Sequence, residues 1–185
     1  MGGVVVLGED RENLCRRVKV EERSLCAGAE WVIESQGLPN LVHELVHALF
    51  LGELADDHGF DYGQIPLDLN LPEHRRILWE ELACCVLSTC MCAVFEPDPR
   101  AFERAWFAEQ FEIQGVFHGL EGDLDRFRGY IDAQLSDPER RQELVATVAE
   151  GRARVVAALA SVSASIPESM TCDPLQMWTR YRREW

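Results

Sequence analysis

The stretch from residue 72 to residue 94 decides the fold, and its sequence is PEHRRILWEELACCVLSTCMCAV. After Glu81 it is nearly apolar on every side, which is typical of a helix at the centre of a domain. Pro72 suits the first turn of a helix, and the Glu-Pro-Asp-Pro sequence at 96–99 ends the pattern. The stretch therefore predicts one long central helix over residues 72–94.

Three more helices are predicted after this one, at about 99–114, 123–135 and 138–161. Each begins behind an aspartate that suits the N-cap position: Asp98, Asp123 and Asp137. Residues 162–185 are mixed in pattern. Their aromatic residues predict a tail that docks on the helical body, and these residues are Trp178, Tyr181 and Trp185.

The first 36 residues differ, because short runs of β-branched and aromatic residues alternate with Gly and Asn. They predict strands at Val4–Leu7, Arg17–Glu22 and Trp31–Glu34. From Pro39 the apolar spacing becomes helical, to about Leu54. We therefore expect an α+β fold with a small N-terminal β-sheet and a mostly helical body. The chain is predicted to be a single domain, residues 1–185, with a strand-rich part at 1–36, a helical part at 37–161 and the tail at 162–185.

The charge of the chain limits its partners. Its 185 residues include 32 acidic and 18 basic side chains, which gives a formal net charge of −14. Nucleic-acid phosphates would repel such a chain, and so would an anionic membrane surface. No apolar segment approaches the roughly 18 residues of a spanning helix, and the N-terminus has no signal-peptide pattern. We expect a cytoplasmic protein with neither nucleic acid nor membrane as its partner.

The seven cysteines are odd in number, and Cys84, Cys85, Cys90 and Cys92 share one apolar stretch. This favours reduced thiols over a disulfide framework. The four are predicted to pack as small apolar side chains of the central helix. The alternative is a cysteine metal site, although the spacing is not that of a zinc ribbon or knuckle.

The sequence His43-Glu44-Leu45-Val46-His47 is an HExxH motif on the helix predicted from Pro39. Residues four apart share one helix face, so both imidazoles can reach a single metal ion. Glu44 lies on the adjoining face, where its carboxylate can act on a water molecule bound to that metal. The apolar neighbours of the motif argue against a solvated helix face. The motif therefore predicts a metal site of zincin-like type with Glu44 as the catalytic group.

Two histidines leave a metal site incomplete, so a third ligand is needed. Glu80 on the central helix is the favoured residue, because Ala83 one turn later allows close helix packing. Glu81 is the runner-up, and either glutamate could instead orient a histidine. Glu53 and His58 remain further alternatives, Glu53 because it stands where metzincins have their third histidine.

This ligand set supports two chemistries. With zinc it lowers the pKa of a bound water, and Glu44 acts as the general base in hydrolysis of a peptide or ester. With Fe(II) it forms a facial triad whose remaining positions take oxygen and substrate. Ligand identity alone does not separate iron from zinc, and a non-catalytic, metal-stabilised binding protein is the third alternative.

The residues around the motif resemble the bacterial elongation factor P hydroxylases over roughly residues 30–135. The similarity begins at Trp31–Glu34, includes the HExxH helix, and continues through Asp57-x-Gly59-Phe60 and Trp79-Glu80-Glu81-Leu82. It is closest in Phe95-Glu96-Pro97-Asp98 and the positions after it, which are Phe102, Arg104, Ala108, Gln110, Arg126 and Phe127.

The resemblance implies a small cytoplasmic protein that binds non-haem iron through His43, His47 and Glu80. It implies oxygen-dependent hydroxylation of a modified lysine on elongation factor P. Another modified protein or peptide is the alternative substrate, and a 2-oxoglutarate-type cosubstrate is compatible with the ligand set without being required by it.

Overall fold

The computed structural model describes residues 3–10, 13–22, 24–25, 28–50, 68–120, 122–161, 170 and 172–184. Its fold is α+β, as predicted: a three-stranded sheet comes first, and a helical body follows. The chain divides into two compact units, Met1–Gly59 and Phe60–Trp185. The single-domain organisation stays a prediction.

The sheet of the first unit has the order β1-β3-β2. Its strands are β1 (Gly3–Leu7), β2 (Leu14–Arg17) and β3 (Trp31–Ser35). β1 pairs parallel to β3, and β2 pairs antiparallel to it, so that Ile33 lies between Val5 and Cys15. The first and third predicted strands are confirmed to within one residue.

The strand predicted at Arg17–Glu22 is wrong. β2 ends at Arg17, and Val20–Glu22 form a 3₁₀ turn. The carboxylate of Glu22 explains the difference, because it accepts hydrogen bonds from the Arg16 guanidinium at 2.6 and 3.0 Å and from the Lys19 backbone N–H at 3.1 Å. These bonds stabilise a turn after Arg17. The alternating valines of this segment therefore do not continue the strand.

In the described part of the first unit, the α-helix is α1 (Leu38–Phe50). Leu41 and Ala48 on α1 pack against a buried cluster on the sheet that consists of Cys15, Trp31 and Ile33. The predicted start at Pro39 is confirmed to within one residue. The predicted end near Leu54 lies outside the described residues.

Five helices make up the described part of the second unit. They are α2 (Pro72–Ala93), α3 (Pro99–Phe117), α4 (Leu124–Ser136), α5 (Pro138–Ser161) and α6 (Pro174–Arg183). The first four agree with the predicted helices, and α3 is three residues longer than predicted. α6 was not predicted, and it begins behind an N-cap, Asp173, whose Oδ1 accepts from two backbone N–H groups.

The three predicted aspartate caps are confirmed. Asp98 accepts a hydrogen bond from the backbone N–H of Ala101 at 3.1 Å, and Asp123 accepts one from Arg126 at 3.0 Å. Asp137 accepts from the N–H groups of residues 139 and 140 at the start of α5. At the other end of α3, Gly119 has a φ of +68°, a conformation that glycine adopts without strain.

α2 is the central helix of the second unit, as its sequence predicted. Every residue from 82 to 90 is buried, and the helix packs against α3, α5 and α6. In α6, the rings of Trp178 and Tyr181 lie about 5 Å from that of Phe111 on α3. Trp185 lies outside the described residues. Among the described helices, none combines the length and the apolar character needed to cross a membrane.

Candidate metal centre

The HExxH motif lies on α1, as predicted, on the side of the helix away from Leu41 and Ala48. Because those two side chains bind α1 to the sheet, the helix orientation about its axis is fixed. At the ideal rotation of 100° per residue, His43 lies 200° and His47 lies 240° around the helix axis from Leu41. The packing of α1 therefore determines where both imidazoles point.

The two histidines are brought together at one turn's spacing. The Nε2 atoms of His43 and His47 are 3.1 Å apart, and the ring centroids are 4.8 Å apart with the planes at 61°. His43 is 5% exposed. When both rings are neutral, one Nε2 carries the hydrogen and the other accepts it, according to the tautomers.

The separation of the two nitrogens can be compared with that of two ligands on one metal ion. Nitrogens at about 2.1 Å from a metal lie about 3.0 Å apart at a right angle and about 3.4 Å apart at the tetrahedral angle. The observed 3.1 Å falls between these values. The distance between the two nitrogens is therefore compatible with two adjacent coordination positions of one ion.

Glu44 follows His43 directly and is also 5% exposed. A carboxylate in so little contact with solvent needs polar or charged partners, because burial without them is costly. Its position on α1 is the one predicted for the catalytic group. Its role in a reaction stays a prediction.

The two glutamates predicted as third ligands lie on α2 in the second unit. Glu80 is 3% exposed, whereas Glu81 is half-buried and is fixed by a neighbour on α3. The side-chain amide of Gln114 donates a hydrogen bond from Nε2 to Oε2 of Glu81 at 2.8 Å. Gln114 is itself 1% exposed, so the carboxylate of Glu81 is oriented from inside the unit.

Gln114 is a residue that the sequence reasoning missed. It lies one turn after Gln110, and both amides are buried on α3. Gln110 Nε2 and Gln114 Oε1 find no hydrogen-bond partner among the described residues. The sequence pattern that could have identified it is a pair of glutamines four residues apart on an otherwise aromatic face of the helix. Polar residues at core-facing positions often mark functional sites.

The remaining sequence candidates divide into three groups. Glu53 and His58 lie outside the described residues, and so does the Asp57–Phe60 segment of the family resemblance. The four cysteines of α2 are buried, reduced thiols, in keeping with the predicted role in helix packing. Trp79 is a core residue whose indole N–H donates to Glu143 at 3.3 Å.

No protein-family model matches this chain, and searches of the curated proteins and of the solved structures also found no match. The resemblance to the elongation factor P hydroxylases therefore stays a prediction from the quoted residues.

Proposed function

We propose that this chain is a metal-dependent protein hydroxylase in which His43 and His47 bind Fe(II). The observation that supports the proposal most strongly is the 3.1 Å separation of the two Nε2 atoms on α1. Imidazole nitrogens suit iron and zinc equally, so the geometry supports a metal and the family resemblance supports iron.

We propose Glu81 as the third ligand and keep Glu80 as the alternative that the sequence favoured. Two imidazole nitrogens from α1 and one carboxylate oxygen from α2 would make up the three-donor set that the sequence predicts. Glu81 is supported by its hydrogen bond from Gln114, because metal-binding carboxylates are commonly held in orientation by such partners.

The bound Fe(II) would supply the redox chemistry that no protein side chain offers. The chain's own residues would hold the ion and shield it from bulk water, since His43 and Glu44 are each 5% exposed. The proposed substrate is a modified lysine on elongation factor P or on another protein.

A zinc peptidase is the second candidate, and the position of Glu44 favours it. A buried carboxylate directly after the first histidine is the arrangement in which HExxH peptidases use a general base. In this alternative Glu44 takes a proton from a water molecule, and the oxygen of that water attacks a peptide carbonyl.

Metal content after anaerobic purification separates the candidates. We expect about one iron per chain in the wild type, almost none in His43→Ala, and an unchanged amount in the control His74→Ala, whose histidine lies in the first turn of α2. One zinc per chain together with cleavage of a peptide library would establish the peptidase instead. Absence of both metals would overturn the metal site.

The substrate is tested by co-expression with lysylated elongation factor P under aerated, iron-replete conditions. We expect a mass gain of one oxygen atom on that protein, and no gain with His47→Ala. If iron is bound but the mass does not change, elongation factor P is not the substrate.

The choice between the glutamates needs a third comparison. We expect Glu81→Gln to lower the iron content and Glu80→Gln to leave it close to that of the wild type. The reverse result would assign the ligand to Glu80.

A further inference from the structure

A cavity of about 640 Å³ lies on the second unit between α3, α4 and α6. Along α3 it is lined by Ala101, Ala105 and Ala108, whose spacing of four and three residues places them on one face of the helix. Their short side chains leave this face open. Binding sites for small organic molecules usually measure roughly 300–1,000 Å³, so the cavity has room for such a ligand.

The cavity is separate from the part of α3 that serves the proposed metal centre. Gln114, which bonds to Glu81, lies about 240° around the helix axis from Ala108 at the ideal rotation of about 100° per residue. The cavity therefore lies on a different face of α3 from the residue that orients the proposed third ligand. A function assigned to it goes beyond the proposed hydroxylase and can be tested on the metal-free protein.

The lining of the cavity carries an excess of positive charge, although the whole chain has a formal net charge of −14. Each of the three helices contributes one arginine: Arg104 on α3, Arg128 on α4 and Arg182 on α6. Glu112 on α3 adds one negative charge. A ligand that fills the cavity meets all of these groups. The lining therefore favours an anion at one place on a chain that otherwise repels anions.

Two of the three guanidinium groups are held in position by their partners. Arg128 donates from Nε to the Tyr181 hydroxyl oxygen and from Nη1 to Oδ1 of Asp125, both at 2.9 Å. Arg182 donates from Nε and Nη2 to one oxygen of Asp132, at 3.1 and 3.0 Å. Nη2 of the first arginine and Nη1 of the second have no partner in the part of the chain that the structure describes, so both can donate to a ligand.

Arg104 is the arginine most available to a ligand. It is exposed, and it has neither a hydrogen-bond partner nor an ion-pair partner among the described residues. Its planar guanidinium can therefore present two parallel N–H groups to two oxygens of one anion. Arg100, one turn earlier on the same helix, differs because it pairs with Glu103 at 2.9 Å and does not line the cavity.

The hydroxyl of Tyr181 adds an uncharged donor to the lining. Its oxygen accepts the hydrogen bond from Arg128, and burial raises the pKa of Tyr181, so the hydroxyl keeps its hydrogen at neutral pH. The ring itself is in use, because the Arg128 guanidinium lies 5.4 Å from its centroid and the rings of Phe107 and Phe111 lie 5.5 and 5.0 Å away. Tyr181 thus offers a ligand a donor rather than an aromatic face.

We propose that the cavity binds a small hydroxylated phosphate ester, such as a sugar phosphate. Arg104 binds the phosphate with its unoccupied guanidinium, and the donors described on α4 and α6 add to it. A phosphate monoester has three terminal oxygens and nearly two negative charges at neutral pH, so it suits this donor set better than a carboxylate. Glu112, about 12 Å further along α3 than Arg104, accepts a hydrogen bond from a hydroxyl group of the ligand.

Calorimetric titration of the full-length chain tests the proposal, with glucose 6-phosphate and glycerol 3-phosphate as the probes. We expect saturable binding of at least one ester, and about tenfold weaker binding of inorganic phosphate, because the ion leaves most of the cavity unfilled. Glucose, which lacks the charge, should not bind. Adenosine monophosphate should bind no more tightly than inorganic phosphate, because the lining has no ring face free for its base.

Two variants test the assigned donors. Arg104→Ala should weaken ester binding about tenfold, because a charge-assisted hydrogen bond is lost, and Tyr181→Phe should weaken it severalfold while keeping the ring. Arg100→Ala is the matched control: it removes the same charge from the same helix outside the lining, and it should change the affinity by less than about twofold.

Four results would overturn the proposal. The first is that neither ester binds at millimolar concentration, and the second is that inorganic phosphate binds as tightly as the esters. Tighter binding of adenosine monophosphate than of both esters would contradict the ligand class. Equal losses in Arg104→Ala and Arg100→Ala would show that the net charge of the chain, and not this cavity, governs the binding.

Discussion

The side chain of Gln114 on α3 holds the carboxylate of Glu81 on α2 through a 2.8 Å hydrogen bond from Nε2 to Oε2. Because Gln114 is 1% exposed, solvent cannot replace this donor easily when it is removed. The bond therefore links the packing of α2 against α3 to the orientation of the proposed third ligand.

Gln114→Leu should weaken iron binding about tenfold, because the carboxylate loses the partner that orients it. Gln110→Leu, one turn earlier on the same helix, should leave the affinity almost unchanged. Both affinities can be measured by anaerobic titration of the metal-free protein. Equal loss in the two variants would mean that repacking of α3, rather than the bond to Glu81, causes the effect.

The ion pair between Arg75 and Glu143 should contribute measurably to the stability of the second unit. Two hydrogen bonds of 3.0 Å join the guanidinium to the carboxylate, and the Arg75 side chain is 9% exposed. We expect Glu143→Gln to lower the free energy of unfolding by about 2 kcal/mol, less than for a fully buried pair because 43% of the Glu143 side chain is exposed.

The control for this variant lies on the same helix. Glu150 pairs with Arg154 at 2.6 Å, but the Glu150 side chain is 53% exposed. Glu150→Gln should therefore cost only about 0.3–0.5 kcal/mol. Urea unfolding gives both values, and similar losses in the two variants would contradict the special role of the Arg75 pair.

The same ion pair should make stability depend on pH. Arg75 lowers the pKa of Glu143 below its ordinary value of 4.5. The native state thus favours the charged carboxylate, so the contribution is complete above pH 4.5 and is lost as the pH falls through the lowered native pKa. The stability difference between wild type and Glu143→Gln should be largest at about pH 7 and shrink at about pH 3. A constant difference across this range would contradict the assignment.

Phe111 should be among the most sensitive core positions of the second unit. It is fully buried, and its ring lies 4.8 Å from that of Phe127 and about 5 Å from those of Trp178 and Tyr181. Phe111→Ala should lower the free energy of unfolding by about 3–5 kcal/mol. Phe95→Ala, at a residue that is 77% exposed, should change it by less than about 0.5 kcal/mol. Thermal unfolding of the two variants tests the contrast.

The helices of the second unit could be predicted because their signals are local. Asp98 and Asp123 cap helices three residues before the N–H groups they bind, and Pro138 follows the cap Asp137. The same logic applied to Asp173 and Pro174 would have predicted α6, but the arginines of this helix obscured its apolar stripe, which includes Met177 and Tyr181.

The features that were missed depend on specific side-chain contacts. The strand predicted at Arg17–Glu22 was wrong because Glu22 bonds back to Arg16, and an alternation of valines carries no information about that bond. Gln114 meets Glu81 across 33 residues. Periodicity and motif spacing indicate which face a residue occupies, but not which residue of another helix it contacts.

The burial of α2 also has a consequence for hydrogen exchange. Residues 82–90 are buried without interruption among α3, α5 and α6, so their amide hydrogens should exchange only when the whole second unit unfolds. Glu81 directly precedes this segment. The proposed third ligand thus lies on backbone that opens as rarely as any in the unit. Its carboxylate should therefore be displaced by global unfolding of the unit rather than by local fraying.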